Sequence, residues 1–122
     1  MRKQYRKCEK RVQRLYDKWW PLMALPQIEV TLRFHVGWAN VNGNEDHDIV
    51  MTTSCLYEYR EALIEVYLPK ASTLKPKDLE HTFVHELCHV INAPIRNLVE
   101  DGVALETATE NMAQALLAVY RA

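Results

Sequence analysis

Residues 78 to 92 read DLEHTFVHELCHVIN, and within them His85-Glu86-Leu87-Cys88-His89 forms an H-E-x-x-H pattern. This pattern constrains the local structure more than any other stretch of the chain. Residues four apart on an α-helix are separated by one turn plus about 40°, so His85 and His89 project from one side and can close on a single metal ion. Glu86 falls beside the histidine stripe, where a carboxylate could accept a proton from metal-activated water. The surrounding residues support a helix. Leu79, Phe83, Val84, Leu87, Cys88, Val90 and Ile91 fill one broad apolar arc that excludes both histidines. Pro76, Asp78 and Glu80 mark a helix start, and Pro94 marks a stop.

The other segments must assemble around this helix within one domain spanning residues 1–122, a length that allows a modest core. With 48% hydrophobic and 25% charged residues, the composition suits a folded globular chain and excludes a disordered one. Residues 1 to 20 carry Arg2, Lys3, Arg6, Lys7, Lys10, Arg11, Arg14 and Lys18 along one side of a helical wheel, with Tyr5, Cys8, Val12, Leu15, Tyr16 and Trp19 on the other. Trp19-Trp20-Pro21 is expected to end this helix. The segment has a formal charge of +6 and the remainder −7. A basic face of this kind is ordinarily solvated, and an acidic partner, nucleic acid or a membrane surface is the functional alternative.

From Ile28 the period changes to two. Ile28, Val30, Leu32, Phe34 and Val36 alternate with Glu29, Thr31, Arg33 and His35, as in a half-buried strand. Residues Gly37 to Asp48 read as a connecting loop, and Ile49 to Tyr57 and Ala62 to Leu68 as further strands. The expected fold class is therefore α+β: an N-terminal helix, a small and mostly antiparallel sheet of about three strands, the H-E-x-x-H helix, and a C-terminal helix from about Val99 or Asp101 to Arg121. On that last helix Glu106 and Glu110 share a stripe with Ala113, Leu117 and Tyr120. A core-facing pair of carboxylates needs a cation or strong donors, because burying unpaired charge costs several kcal/mol.

His85-Glu86-x-x-His89 followed by Glu106-Thr-Ala-Thr-Glu110 resembles the gluzincin zinc peptidases. By size it resembles the minigluzincins, and the small metallopeptidases of phage and prophage genomes look similar. The resemblance covers roughly residues 78 to 117. It implies that His85, His89 and Glu106 are Zn²⁺ ligands, that Glu86 is the catalytic carboxylate, and that Glu110 accepts from the far nitrogen of a ligand histidine. Sixteen residues separate His89 from Glu106, a short interval for the family, and Glu110 stands where many relatives have Asp. Glu100, Glu106 and Glu110 all remain candidates for the third ligand. No histidine follows His89, which excludes a third histidine ligand downstream.

The implied activity is hydrolysis of a peptide or protein substrate. The alternative is a non-catalytic metal-binding adaptor that docks an acidic partner or nucleic acid through the basic first helix. His81 is expected at the edge of the site or on the surface, and Cys88 in the core. Tyr57, Tyr59 and Tyr67 are open candidates for an oxyanion donor. Three cysteines without C-x-x-C spacing point to reduced thiols, and the charged N-terminus lacks a secretory apolar region, so a cytoplasmic location without membrane contact is expected.

Overall fold

A computed structural model of the chain describes residues 2–23, 28–56, 59–95 and 102–121. Helix α1 spans Lys3–Met23, and strands β1 to β5 span Glu29–His35, Ala39–Val41, Asn44–Asp46, Met51–Leu56 and Glu61–Tyr67. Helix α2 (Leu68–Ala71), helix α3 (Pro76–Asn92), a 3₁₀ turn (Ala93–Ile95) and helix α4 (Gly102–Arg121) follow. The architecture is α+β, as the alternation of periods implies. No helix among the described residues is long and apolar enough to cross a membrane.

Three strands form one sheet in the order β1-β5-β4. β4 runs antiparallel to β5, with Thr53 opposite Ile64, whereas β1 runs parallel to β5, with Leu32 opposite Ile64. This mixed sheet replaces the mostly antiparallel one expected. Side-chain alternation fixes which face of a strand is buried but carries no information about its neighbour. β4 and β5 are close in sequence and pair antiparallel, which leaves β1 the far edge of β5.

A second correction concerns residues 37–48, which hold a two-stranded hairpin with Val41 paired to Asn44. Asn42 and Gly43 take φ values of 54° and 84°, and the Gly43 amide donates to Asn40 Oδ1 at 3.0 Å. Consecutive positive φ angles are the requirement of a type I′ turn, which Asn-Gly supplies at least cost. The strands are too short and too polar to show an apolar alternation.

α3 packs against α4, β4 and α1, so the helix predicted to be central is central. Pro76 occupies its first turn together with Asp78, where a missing amide costs nothing and an acid complements the helix dipole. Leu79, Phe83, Val84, Leu87, Cys88 and Val90 are buried on one side of it. They meet Ile64 and Val66 of β5, Val12 and Trp19 of α1, and Ala113 and Leu117 of α4 in one core. α1 continues to Met23 with Pro21 inside it, rather than ending at the proline. So close to the C-terminus, proline removes only a single backbone hydrogen bond, and Met23 packs on the core in return.

Trp19 joins three helices. It is fully buried, its Nε1–H donates to Glu80 Oε2 of α3 at 2.8 Å, and its ring meets Tyr120 of α4 edge-on at 5.6 Å. Trp19→Ala should therefore lower stability in urea unfolding by about 3–5 kcal/mol, the usual cost of emptying a large aromatic site. Leu22→Ala, at a side chain 45% exposed, should stay within about 0.5 kcal/mol of wild type. Equal losses for the two variants would contradict this account of the anchor.

Candidate metal centre

The apolar arc of α3 fixes the helix's rotation, and that rotation directs His81, His85 and His89 toward α4. These three residues are spaced by four, so they form a row along the helix. α4 answers with Glu106 and Glu110, also spaced by four. His85 Nε2 lies 2.7 Å from Glu106 Oε1, and His89 Nε2 lies 3.2 Å from Glu106 Oε2. One carboxylate thus spans both imidazoles of the H-E-x-x-H pair, whose ring centroids are 4.8 Å apart.

On its other side, His85 Nδ1–H donates to Glu110 Oε1 at 2.9 Å, and His81 Nε2–H donates to the same carboxylate at 2.9 Å. Gln114 Nε2 adds a third donor at 3.2 Å. Both nitrogens of His85 face carboxylate oxygens, a pattern that only the doubly protonated ring satisfies fully. Burial alone would lower the pKa of His85, but its hydrogen bonds to Glu110 and Glu106 outweigh burial and raise it. Glu110 shows the converse. Burial pushes its carboxyl up, while the donors His85, His81 and Gln114 pull it down to about 2.

Glu86 has a different environment. It projects toward β4, where the Thr53 hydroxyl donates to Glu86 Oε2. Burial raises its pKa, opposed by the single Thr53 bond and by His85 nearby. His85, Glu86 and His89 each offer a ligand atom within 4.8 Å of the others, so the group can hold a metal ion. An open cleft of about 380 Å³ adjoins it, with Thr53, Glu86, His89, Asn92, Leu105 and Glu106 among the residues in its wall.

The structure brings together the five residues that the sequence singled out: His85, Glu86, His89, Glu106 and Glu110. Glu106 and Glu110 do not point into the apolar core as their stripe suggested. They meet the histidine row beside the cleft, and the Glu106 side chain is 58% exposed. Glu100 and Tyr57 lie outside the described residues. Of the other two tyrosines, Tyr59 is exposed and Tyr67 stacks on His35 at 5.0 Å, and neither lines the cleft. Cys88 is fully buried on the apolar side, and burial pushes its thiol up to about 12.

His81, expected at the edge of the site or on the surface, lies at the edge and clamps Glu110. One participant was not identified from the sequence. Thr53 holds Glu86; its signal was a polar residue at an inward position of β4, opposite Ile64. The seam is braced further along, where Asn92 Nδ2 donates to the buried Thr109 Oγ1 at 3.0 Å. Compared with protein-family models, curated proteins and solved structures, the chain matches none.

The two opposed shifts predict how metal-free stability depends on pH. The Glu110 carboxyl is depressed from about 4.3, so its contribution is complete above about pH 5 and is lost as pH falls toward about 2. The His85 ring is raised above its ordinary 6.5, so its contribution is complete below about pH 6.5 and is lost as pH rises through the higher folded value. With a chelator present, the difference in urea midpoint between wild type and Glu110→Gln should be largest between about pH 5 and 6.5 and smaller on both sides. A difference that grows steadily up to pH 8 would contradict the pairing.

Proposed function

We propose that this chain is a zinc-dependent peptidase of the minigluzincin kind, with His85, His89 and Glu106 as zinc ligands and Glu86 as general base. The observation that carries the reading is the convergence of His85 Nε2 and His89 Nε2 on the two oxygens of Glu106, with Glu86 held alongside by Thr53. Two imidazoles and one carboxylate are the donor set of an open catalytic zinc site, whereas calcium and magnesium prefer oxygen ligands and structural zinc mostly cysteine. Cys88 is turned away into the core, so the ligands do not include the motif's own thiol. Glu110 supports the set by fixing the ring of His85 through Nδ1, the usual role of an outer carboxylate.

When bound, zinc supplies Lewis acidity, polarising a carbonyl and making a water acidic near neutral pH. The remaining chemistry belongs to the protein. Glu86 takes a proton from the attacking water and returns it to the leaving amine, and its burial makes the carboxylate a stronger base than a solvated one. Thr53 occupies one carboxylate oxygen and so orients the other. β4 is an edge strand of the sheet, paired only with β5 among the described residues. An extended peptide can add to its outer edge and lie along the cleft past Thr53.

Zinc titration and cleavage of a mixed peptide library test this reading together. Wild type should bind one zinc per chain, and Glu86→Gln should retain it while cleavage falls roughly 10²- to 10⁴-fold, the range of general acid-base catalysis. His85→Ala should lose metal and activity together. Undiminished cleavage by Glu86→Gln would sink the mechanism. An inert zinc-loaded wild type would leave the adaptor reading in its place.

The two carboxylates on α4 should separate in the same titration. Glu106→Ala should lose most zinc affinity, whereas Glu110→Ala should lose roughly 10- to 100-fold, the scale of an outer-sphere partner. The reverse ranking would refute the assignment.

A further inference from the structure

α1 carries a row of cations that neither the core nor the metal centre uses. Its buried side is Tyr5, Cys8, Val12 and Trp19. On a 3.6-residue wheel Lys3, Lys7, Lys10 and Arg14 fall within about 60° of arc, directly opposite Val12, with Arg6 at the margin. All five are exposed, and none takes part in an ion pair among the described residues, whereas Lys18 farther along is bonded to Glu80 at 2.9 Å. The acids on the helix, Glu9 and Asp17, leave the row unneutralised. None of the five residues lines the cleft beside the metal centre.

The placement of this charge runs against helix stability. Cations favour the C-terminal end of a helix and acids the N-terminal end. Here the first turn contains no acid and begins with Lys3, and the last turn contains no base. The positive end of the backbone dipole and the basic side chains therefore reinforce each other in one region. The dipole disfavours cations at this end of the helix, and an external anion would offset that cost.

The apolar face of α1 is consumed by the core, which leaves no hydrophobic side to enter a bilayer as interfacial helices do. A row of one sign spanning about 16 Å from Lys3 to Arg14 matches a uniformly charged polyanion better than a protein surface of mixed sign. Duplex nucleic acid presents such a lattice, with about one negative charge per 1.7 Å of axis. We propose that the outer face of α1 docks on the phosphate backbone of duplex nucleic acid without reading sequence, through Lys3, Arg6, Lys7, Lys10 and Arg14.

The test is fluorescence anisotropy of the full chain with a labelled 20-base-pair DNA duplex. Five neutralised phosphates predict a slope of log K against log salt of about −4.5, a loss of about 500-fold between 50 and 200 mM salt. The triple variant Lys7→Glu, Lys10→Glu, Arg14→Glu should bind at least about 100-fold more weakly at 50 mM and reduce the slope to about −2. Lys3→Glu with Arg6→Glu should also weaken binding yet raise Tm, because both changes suit the helix dipole. That opposition rules out unfolding as the cause of lost binding. The proposal is overturned if wild type leaves the duplex unbound at 50 mM salt, if binding ignores the charge reversals, or if phosphatidylserine vesicles capture the protein and the duplex does not. Zinc uptake measured on the same variants should be unchanged, so this result is independent of the peptidase reading.

Discussion

The contact on which the candidate site depends is the polar seam between α3 and α4, where two ladders with the same spacing face each other. His81, His85 and His89 ascend one helix while Glu110 and Glu106 descend the other. His81 therefore meets Glu110, His85 sits between both carboxylates, and His89 reaches Glu106. The match requires the helices to run antiparallel and in one register, since a shift of one residue on either helix would rotate its ladder by about 100°. Apolar packing holds the helices together through Leu87, Cys88, Ala113 and Leu117, and the Asn92–Thr109 bond pins them along the axis. The chemistry is thus set by how core residues orient two helices.

Two of the carboxylates near this seam, Glu110 and Glu86, are sent in opposite directions by their environments. Glu110 has three donors and is driven down to about 2. Glu86 is more deeply enclosed and has only the Thr53 hydroxyl, so burial raises it. A carboxylate saturated with donors is a poor base and a good brace, whereas one short of donors is ready to accept a proton. The division of roles proposed for them, Glu110 orienting His85 and Glu86 moving protons, rests on the count of hydrogen bonds to each carboxylate.

Much of this was legible because α-helical periodicity can be read along a single chain. The arc of Leu79, Phe83, Val84, Leu87, Cys88 and Val90 fixed the buried side of α3, and the same wheel placed Glu106 and Glu110 together on α4. Alternation from Val30 to Phe34 likewise marked the inward face of β1. What could not be read depends on contacts between distant segments. The parallel pairing of β1 with β5 is one case, and Thr53 beneath Glu86 is another, since the two residues are joined only when β4 reaches α3. His81 shared the histidine spacing but had no visible partner until α4 docked. The hairpin was different: Asn42-Gly43 announced a type I′ turn, and three-residue polar strands masked it.

The core also bears on how folding and metal binding would be related. In a small zinc finger the ligands hold the chain together, so removing the metal unfolds it. Here the core of Trp19, Phe83, Ile64, Leu79 and Leu87 lies apart from the histidine row. A proton on His85 Nε2 would answer Glu106 Oε1, 2.7 Å away, at the place where a cation would otherwise do so. A metal held by His85, His89 and Glu106 would take the place of that proton, and the Nδ1 bond to Glu110 would keep the ring in position. Metal and proton would then compete for one nitrogen. Because packing orders the residues on either side of the seam, binding would exchange one cation for another within a folded protein rather than complete a step of folding.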